Sequence, residues 1–187
     1  HPANTLSLHD ALPILPSEEL LKRARTNFKK SINTLEESIS ELNIAETLDY
    51  VWNIRGYDST LDKAIQIINE ANSNILMSLW EKEILFLYNE ITKAINRGVT
   101  VNIMVYGKNK IDGINNVHYH RSAEKLLKQI GGRCLTIVSD QKQVLTGQVN
   151  EEVGGVSIWT TNPSIIFVSS RYIEHELYIS EKLDKVK

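Results

Sequence analysis

Three strands of an α/β protein would end at Trp80 with Glu81, at Tyr106 and at Trp159, and Arg133 and Asn162 could join them as polar partners. The types of these six residues suit the binding of a ligand. Ligands of open α/β sheets bind beyond the carboxyl ends of the strands. The aromatic rings would form an apolar floor for a sugar ring or a nucleoside, and the polar side chains would direct hydrogen bonds to it. The alternative is that the aromatic rings pack against helices at the strand ends.

Arginine is not deprotonated in proteins, so Arg133 would bring a fixed positive charge that suits an anionic or hydroxyl-rich ligand. His118 and His120 would share a face of a strand and could bind a metal ion. No cysteine or acidic third ligand is evident nearby, so a solvated loop is the favoured interpretation, and we expect no metal and no other cofactor. His175 is expected to be a structural residue at or near the surface. Cys134 is the only cysteine, which excludes an internal disulfide, and its apolar neighbours predict a core position.

Alternating strands and helices must position these residues. Strands are predicted over 50–54, 75–80, 100–106, 117–120, 135–139, 144–149 and 156–160. Helices are predicted up to residue 71 from a cap at Asp58 or Ser59, over 82–96, up to residue 130 from a cap at Ser122, and over 164–183. The segment 75–106 is typical of a parallel βαβ unit, and 135–149 of a β-hairpin. The pattern therefore predicts an α/β domain with a mixed, mainly parallel sheet flanked by helices over 44–187.

A long amphipathic helix is predicted before this domain. Ser17 can cap it, the next two glutamates suit its first turn, and no Pro or Gly interrupts it up to residue 43. Apolar residues repeat with heptad spacing at Leu21, Phe28, Ile32, Leu35, Ile39 and Leu42. Ile at a positions with Leu at d positions favours a parallel two-stranded coiled coil. We therefore expect 16–43 to be a dimerisation helix, the alternative being an amphipathic helix packed on its own domain.

The composition is that of an ordinary globular protein, with 42% hydrophobic and 24% charged residues. A formal net charge of -2 disfavours binding of nucleic acid through a broad basic face. The sequence holds no apolar run of the length that spans a membrane. Residues 1–15 lack the features of a signal peptide and resemble translated adapter sequence. We expect that segment to be non-native and the natural protein to continue upstream of Pro16.

The segment 133–150 resembles the core motif of the phospholipase D family, His-x-Lys-x4-Asp followed by Gly-Ser-x-Asn. The motif is matched at Asp140, Gly147 and Asn150, with Gln148 in place of its serine. Arg133 stands in place of the nucleophilic histidine, and Leu135 in place of the phosphate-binding lysine. Arginine is not a nucleophile, and leucine cannot neutralise phosphoryl charge. The resemblance therefore implies the fold of that family without its activity.

From about residue 17 to 187, and most characteristically over 159–178, the chain resembles the C-terminal part of TrmB-type transcription regulators. In that family a winged helix-turn-helix precedes a coiled-coil linker and a degenerate phospholipase-D-like domain. The resemblance implies a non-catalytic, effector-sensing domain of a cytoplasmic homodimer, which binds operator DNA through a winged helix not visible in this sequence. The effector would be a small molecule such as a sugar, although the sugar-binding β domain of longer members is not to be assumed here. The alternatives are a phosphodiesterase with residual activity, which completes its site by dimerisation, and a purely structural dimerisation domain.

Overall fold

The computed structural model describes residues 17–41, 50–120, 122–150 and 154–184. The chain divides into two compact units, His1–Leu48 and Asp49–Lys187. The segment expected to be non-native, 1–15, lies outside the described residues.

The described part of the first unit is helix α1, which spans Ser17–Glu41 and confirms the predicted helix. The apolar side chains described on it are open to solvent: Leu21 is 60% exposed, Phe28 70% and Leu35 61%. The predicted heptad position Leu42 lies outside the described residues. The exposed stripe is compatible with a coiled coil, which stays a prediction.

Strands and helices alternate in the second unit. The strands are β1 (Val51–Arg55), β2 (Asn74–Trp80), β3 (Thr100–Tyr106), β4 (Val117–Tyr119), β5 (Arg133–Ser139), β6 (Gln143–Val149) and β7 (Val156–Thr160). The helices are α2 (Tyr57–Glu70), α3 (Glu81–Asn96), α4 (Ala123–Ile130) and α5 (Pro163–Asp184). Each predicted strand and helix of this unit is present, with ends shifted by a few residues. Helix α2 begins earlier than expected, because Gly56 at φ 101° turns the chain before Tyr57, so neither Asp58 nor Ser59 is the cap.

In the described part of this unit the strands form a seven-stranded mixed sheet in the order β1-β7-β6-β5-β2-β3-β4. The predicted βαβ unit is confirmed, because β2 and β3 are parallel neighbours joined by α3. The predicted hairpin is also confirmed, since β5 and β6 pair antiparallel across a turn with Asp140 and Gln141 at φ 52° and 55°.

The class, α/β with a mixed sheet flanked by helices, is confirmed, but the expected excess of parallel pairs is corrected. Among the described strands, only β2–β3 and β3–β4 are parallel. The other neighbouring pairs are antiparallel. Short connections between successive strands produce antiparallel neighbours, whereas parallel neighbours need a crossover of a dozen or more residues. The chain from β5 to β7 has only short connections.

The sheet carries a hydrophobic core on each face, because successive strand residues point to opposite sides. The larger core lies under α2 and α3, and we call this side the α2/α3 face. Its fully buried members include Ile67, Ile75, Met77, Leu79, Ile84, Leu87, Ile91, Ile103 and Leu135. The smaller core lies under α5, and we call this side the α5 face. Its buried members are Leu76, Trp80, Met104, Tyr106, Val138, Val144, Ile166, Ile173 and Leu177.

Candidate functional site

The carboxyl ends of β2 and β3 meet the start of β5 at one edge of the sheet, because β5 runs antiparallel to β2. Trp80, Glu81, Tyr106 and Arg133 line an open cleft of about 540 Å³ there, which we call the strand-end cleft. Its other lining residues are Lys82, Leu85, Gly107, Lys108, Asn109 and Glu124. The structure therefore brings together four of the predicted ligand residues.

Trp159 and Asn162 do not belong to this cleft, which corrects the prediction that all these residues meet at one edge. Strand β7 is antiparallel to β2 by way of β6 and β5, so its carboxyl end lies at the opposite edge of the sheet. Trp159 lies opposite Leu145 of β6, and the line of facing residues continues across β5 to Met77, which lies in the middle of β2. The prediction assumed that all the strands concerned run in the same direction.

The contacts of both residues have a structural purpose. Trp159 donates a hydrogen bond from its indole nitrogen to Gln143 Oε1 at 2.8 Å, and the ammonium of Lys63 lies 3.8 Å from the ring centre. Asn162 Oδ1 accepts the backbone N–H groups of Ser164 and Ile165 at 3.0 and 3.1 Å. Asn162 therefore caps α5, as its position before Pro163 allows.

Trp80 and Tyr106 are mostly buried where they border the cleft. Trp80 is 8% exposed and Tyr106 3%, and their rings stack with centroids 5.3 Å apart. The Tyr106 hydroxyl lies 3.0 Å from that of Tyr172 and accepts a long bond from Ser78 at 3.4 Å. Burial raises the pKa of Tyr106 well above its ordinary value, so this phenol stays protonated at neutral pH. The pair therefore packs under α5 and borders the cleft only with its ring edges.

Glu81 organises the loop that follows β3. Its carboxylate accepts the backbone N–H groups of Lys108 and Asn109 at 3.2 and 3.3 Å, and also the side-chain amide of Asn109. The hydrogen bond from the Asn109 side chain is the main reason that the pKa of Glu81 lies below its ordinary value. A Cβ atom on Gly107 would lie 2.6 Å from the carboxylate, so this close approach needs glycine. Glu81 thus enters the cleft as an ionised group that already holds hydrogen bonds.

Arg133 is joined to a buried carboxylate that the sequence analysis missed. Its Nε donates to Glu83 Oε1 at 2.9 Å, and the Tyr57 hydroxyl donates to the same oxygen at 3.2 Å. The Glu83 side chain is fully buried, and among the described residues its Oε2 has no hydrogen-bond partner. Glu83 lies four residues before the buried Leu87 on α3, so the helical repeat could have placed it on the inner face. The positive charge of Arg133 is therefore balanced from inside the protein.

Asp140 and Leu135, two further positions of the phospholipase D motif, have structural roles. Asp140 lies at the far end of β5 and accepts the backbone N–H groups of Asn72, Ser73 and Asn74 at 2.8 to 2.9 Å. Burial acts to raise the pKa of Asp140, but these hydrogen bonds outweigh it and hold the pKa well below its usual range. Leu135 is fully buried in the core of the α2/α3 face.

Gly147 and Cys134 lie on neighbouring strands of the same region. A Cβ atom on Gly147 would come within 2.3 Å of Ser157 Cα in β7, so only glycine fits there. Cys134 is half-buried rather than fully in the core as predicted, and burial raises the pKa of its thiol.

His120 is a packed residue, which corrects the expected solvated loop. Its ring lies 4.8 Å from that of Tyr106, and its Nδ1 accepts the Ser122 N–H at 3.2 Å. Its Nε2 faces Glu176 Oε2 at 3.3 Å. His118 lies in β4, and His175 is exposed on α5 as expected. The part of the chain that the structure describes holds no group of three or more metal-ligating side chains.

Two further cavities adjoin His120 on the α5 face. One of about 440 Å³ shares Trp80, Lys108 and Glu124 with the strand-end cleft. The other, of about 260 Å³, lies between His120 and the C-terminal half of α5. His120 and Ser122 line both cavities and therefore lie between them.

Residues 50–180 match the family model described as "Transcriptional regulator TrmB, EBD N-terminal subdomain". The chain belongs to this family, which confirms the resemblance read from the sequence. A curated relative is the uncharacterized protein YrhO of Bacillus subtilis (strain 168), which is 26% identical over 172 residues. That alignment covers 91% of this chain and 62% of YrhO, so the chain spans less than two thirds of its relative.

Solved structures that are similar to this chain include the following three, of which the first shares the fold. NucT from Helicobacter pylori matches with a TM-score of 0.54 and 18% identity, over 69% of this chain and 97% of NucT. TrmBL2, described as an archaeal chromatin protein with a novel mode of DNA binding, matches with a TM-score of 0.49 and 17% identity, over 84% of this chain and 64% of TrmBL2. Nuc from Salmonella typhimurium, described as a phospholipase D family member, matches with a TM-score of 0.41 and 17% identity, over 68% of this chain and 92% of Nuc. None of the described helices is long and apolar enough to cross a membrane.

Proposed function

We propose that this chain is the effector-binding and dimerisation part of a TrmB-like transcription regulator and that it has no catalytic activity of its own. The observation that carries the proposal is the ion pair of Arg133 with Glu83, at the position of the nucleophile in the phospholipase D motif. Operator DNA would be bound by another part of the full-length regulator, because this chain has a formal net charge of -2.

The absence of phosphodiesterase activity follows from the chemistry of these positions. A guanidinium held by a buried carboxylate cannot form a phosphoryl intermediate, and Leu135 points into the core. The test is turnover of a generic aryl phosphodiester by the full chain, with the His120→Asn variant as control. We expect no turnover above buffer. Activity that His120→Asn abolishes would identify a nucleophile in the cavities beside the cleft and overturn the proposal.

We assign dimerisation to α1, on which Leu21, Phe28, Ile32 and Leu35 are exposed. Replacing Ile32 and Leu35 with Lys puts charges into the seam and should yield monomers in sedimentation experiments. Replacing Asn33 and Thr34 with Lys adds the same charge beside the seam and should leave the dimer intact. A parent chain that sediments as a monomer, or a seam variant of unchanged mass, would contradict this assignment.

The effector is assigned to the strand-end cleft, with Trp80, Glu81, Tyr106 and Arg133 as the contacting residues. The polar rim around an apolar edge suits a small hydroxyl-rich molecule such as a sugar or a sugar phosphate. A thermal-shift screen of sugars, sugar phosphates and nucleotides, followed by tryptophan fluorescence, tests this assignment.

For a ligand found in that screen, Trp80→Leu and Arg133→Lys should each weaken binding about tenfold, which is about 1.4 kcal/mol. Trp159→Leu and Asn162→Asp are matched controls away from the cleft and should leave binding unchanged. The reverse pattern would place the site elsewhere. A screen without any hit would favour a purely structural dimerisation domain, which the burial of Trp80 and Tyr106 also suits.

A further inference from the structure

Strand β1 forms one edge of the sheet, with β7 as its neighbour on one side only among the described strands. It exposes apolar side chains: Trp52 is 56% exposed, and Val51 is exposed beside it. The Trp52 ring lies between those of Tyr50 and Trp159, with centroid distances of 5.8 and 6.4 Å. Exposed apolar edge strands are templates for pairing with another chain.

The backbone groups of β1 show what the edge can bind. The N–H of Gly56 donates to the carbonyl of Gly155 at 2.9 Å. Together with the register of β1 on β7, this bond shows which residues of β1 direct their backbone groups toward β7. Because these groups alternate along a strand, Val51, Asn53 and Arg55 direct their N–H and C=O groups away from β7. The register with β7 is continuous, and the strand contains no proline, so neither of these two protective devices blocks the edge.

We propose that this edge pairs antiparallel with β1 of a second copy of the chain, across a two-fold axis at Asn53. This register uses all the outward backbone groups of both strands and forms about six hydrogen bonds. It places Val51 opposite Arg55 of the other copy, so the two Arg55 side chains do not face each other. A register centred on Trp52 would leave some of the outward groups of residues 51–55 without a partner in the facing strand.

The second copy is favoured over another extended peptide because of where β1 lies in the chain. Only residues 42–50 separate α1 from β1. If α1 forms the parallel dimer proposed above, both copies of β1 are tethered to the same axis at a high effective concentration. The proposal rests on the α1 dimer only for this high effective concentration. The hydrogen bonds of the pairing come from β1 alone.

Disulfide trapping in the full chain tests the pairing and its register, in a Cys134→Ser background that removes the native thiol. In this register, the Cα atoms of the two cysteines in the Asn53→Cys variant lie about 5.5 Å apart, which is within the range of a disulfide. Arg55→Cys is the matched control on the same edge, because its two copies would be about 14 Å apart. Adding Val51→Cys to Arg55→Cys should restore cross-linking, since those positions face each other.

We expect Asn53→Cys and the Val51→Cys, Arg55→Cys pair to form covalent dimers at least about tenfold faster than Arg55→Cys alone. If all three variants cross-link at equal rates while the chain still sediments as a dimer, the edge pairing is overturned. The proposed α1 dimer is not contradicted by that result. Fast cross-linking of Asn53→Cys that persists in the Ile32→Lys, Leu35→Lys background would support the pairing and contradict the role of α1. Correct folding of each variant is checked by tryptophan emission, since Trp52 and Trp159 border the edge.

Discussion

The two faces of the sheet are built differently. The α2/α3 face has a continuous apolar core in which two helices pack side by side on the strands. The α5 face has a smaller core, and hydroxyl groups of Ser78, Tyr106 and Tyr172 are placed within or beside it. Both cavities around His120 lie on that second side. The comparison indicates that the α2/α3 face is packed continuously, whereas the α5 face leaves cavities beside its core.

A buried charge lies on the α2/α3 face where Glu83 meets Arg133. Replacing Arg133 with Met should lower the free energy of unfolding by about 3–5 kcal/mol, because a buried carboxylate loses its counter-charge. The double variant Glu83→Leu, Arg133→Met should recover most of that loss. Urea unfolding followed by tryptophan fluorescence measures both, and a loss below about 1 kcal/mol in the single variant would contradict the structural role of the pair.

Equivalent truncations on the two faces compare their packing directly. Ile91→Ala on α3 should cost about 3 kcal/mol, and Ile173→Ala on α5 about 2 kcal/mol, although both side chains are fully buried. The difference is expected because the surroundings of α5 can relax into the neighbouring cavities, whereas those of α3 cannot. Equal losses in urea unfolding would mean that the two cores are equally rigid.

Asp140 holds the chain at the start of β2. This part of the sheet belongs to both faces, so the loss of Asp140 should not distinguish the α2/α3 face from the α5 face. Asp140→Asn should cost about 2 kcal/mol at neutral pH, because hydrogen bonds to an ionised carboxylate are stronger than those to an amide. The pKa of Asp140 is lowered on folding, so its stabilisation is present above the ordinary carboxyl value of about 4 and is lost as the pH falls below it. The stability gap between the parent chain and Asp140→Asn should therefore shrink on acidification, and a constant gap would refute this cause.

The smallest effect is expected on the α5 face. Tyr106→Phe removes the bonds to Ser78 and Tyr172 but keeps the stacked ring, and should cost about 1 kcal/mol or less. The emission of Trp80 should shift, because its stacking partner loses its hydrogen bonds. A loss as large as that of Ile173→Ala would show that the hydroxyl groups, rather than the apolar side chains, hold α5 in place.

Local patterns predicted the elements well, because they depend on neighbouring residues. The βαβ unit and the β5–β6 hairpin were foreseen from apolar runs and turn residues. The direction of β7 was not, since it depends on which strands become neighbours in space, and this misplaced Trp159 and Asn162. Glu83 was missed because a single carboxylate on an apolar helix face attracts notice only when its cation, Arg133, is known to lie opposite.

Helix α4 has a consequence for exchange of its amide protons. Of its described residues none is buried, and Leu127 and Ile130 are exposed. The chain before it is held by the bond from Ser122 to His120, and its first turn contributes to the wall of the larger cavity. Such a helix opens at low energetic cost while the sheet stays folded, so its amides should exchange faster than those of α3. If the effector proposed above binds beside Trp80, the opening of this single helix, rather than the dimensions of a fixed hole, would set the size of the molecule that can enter.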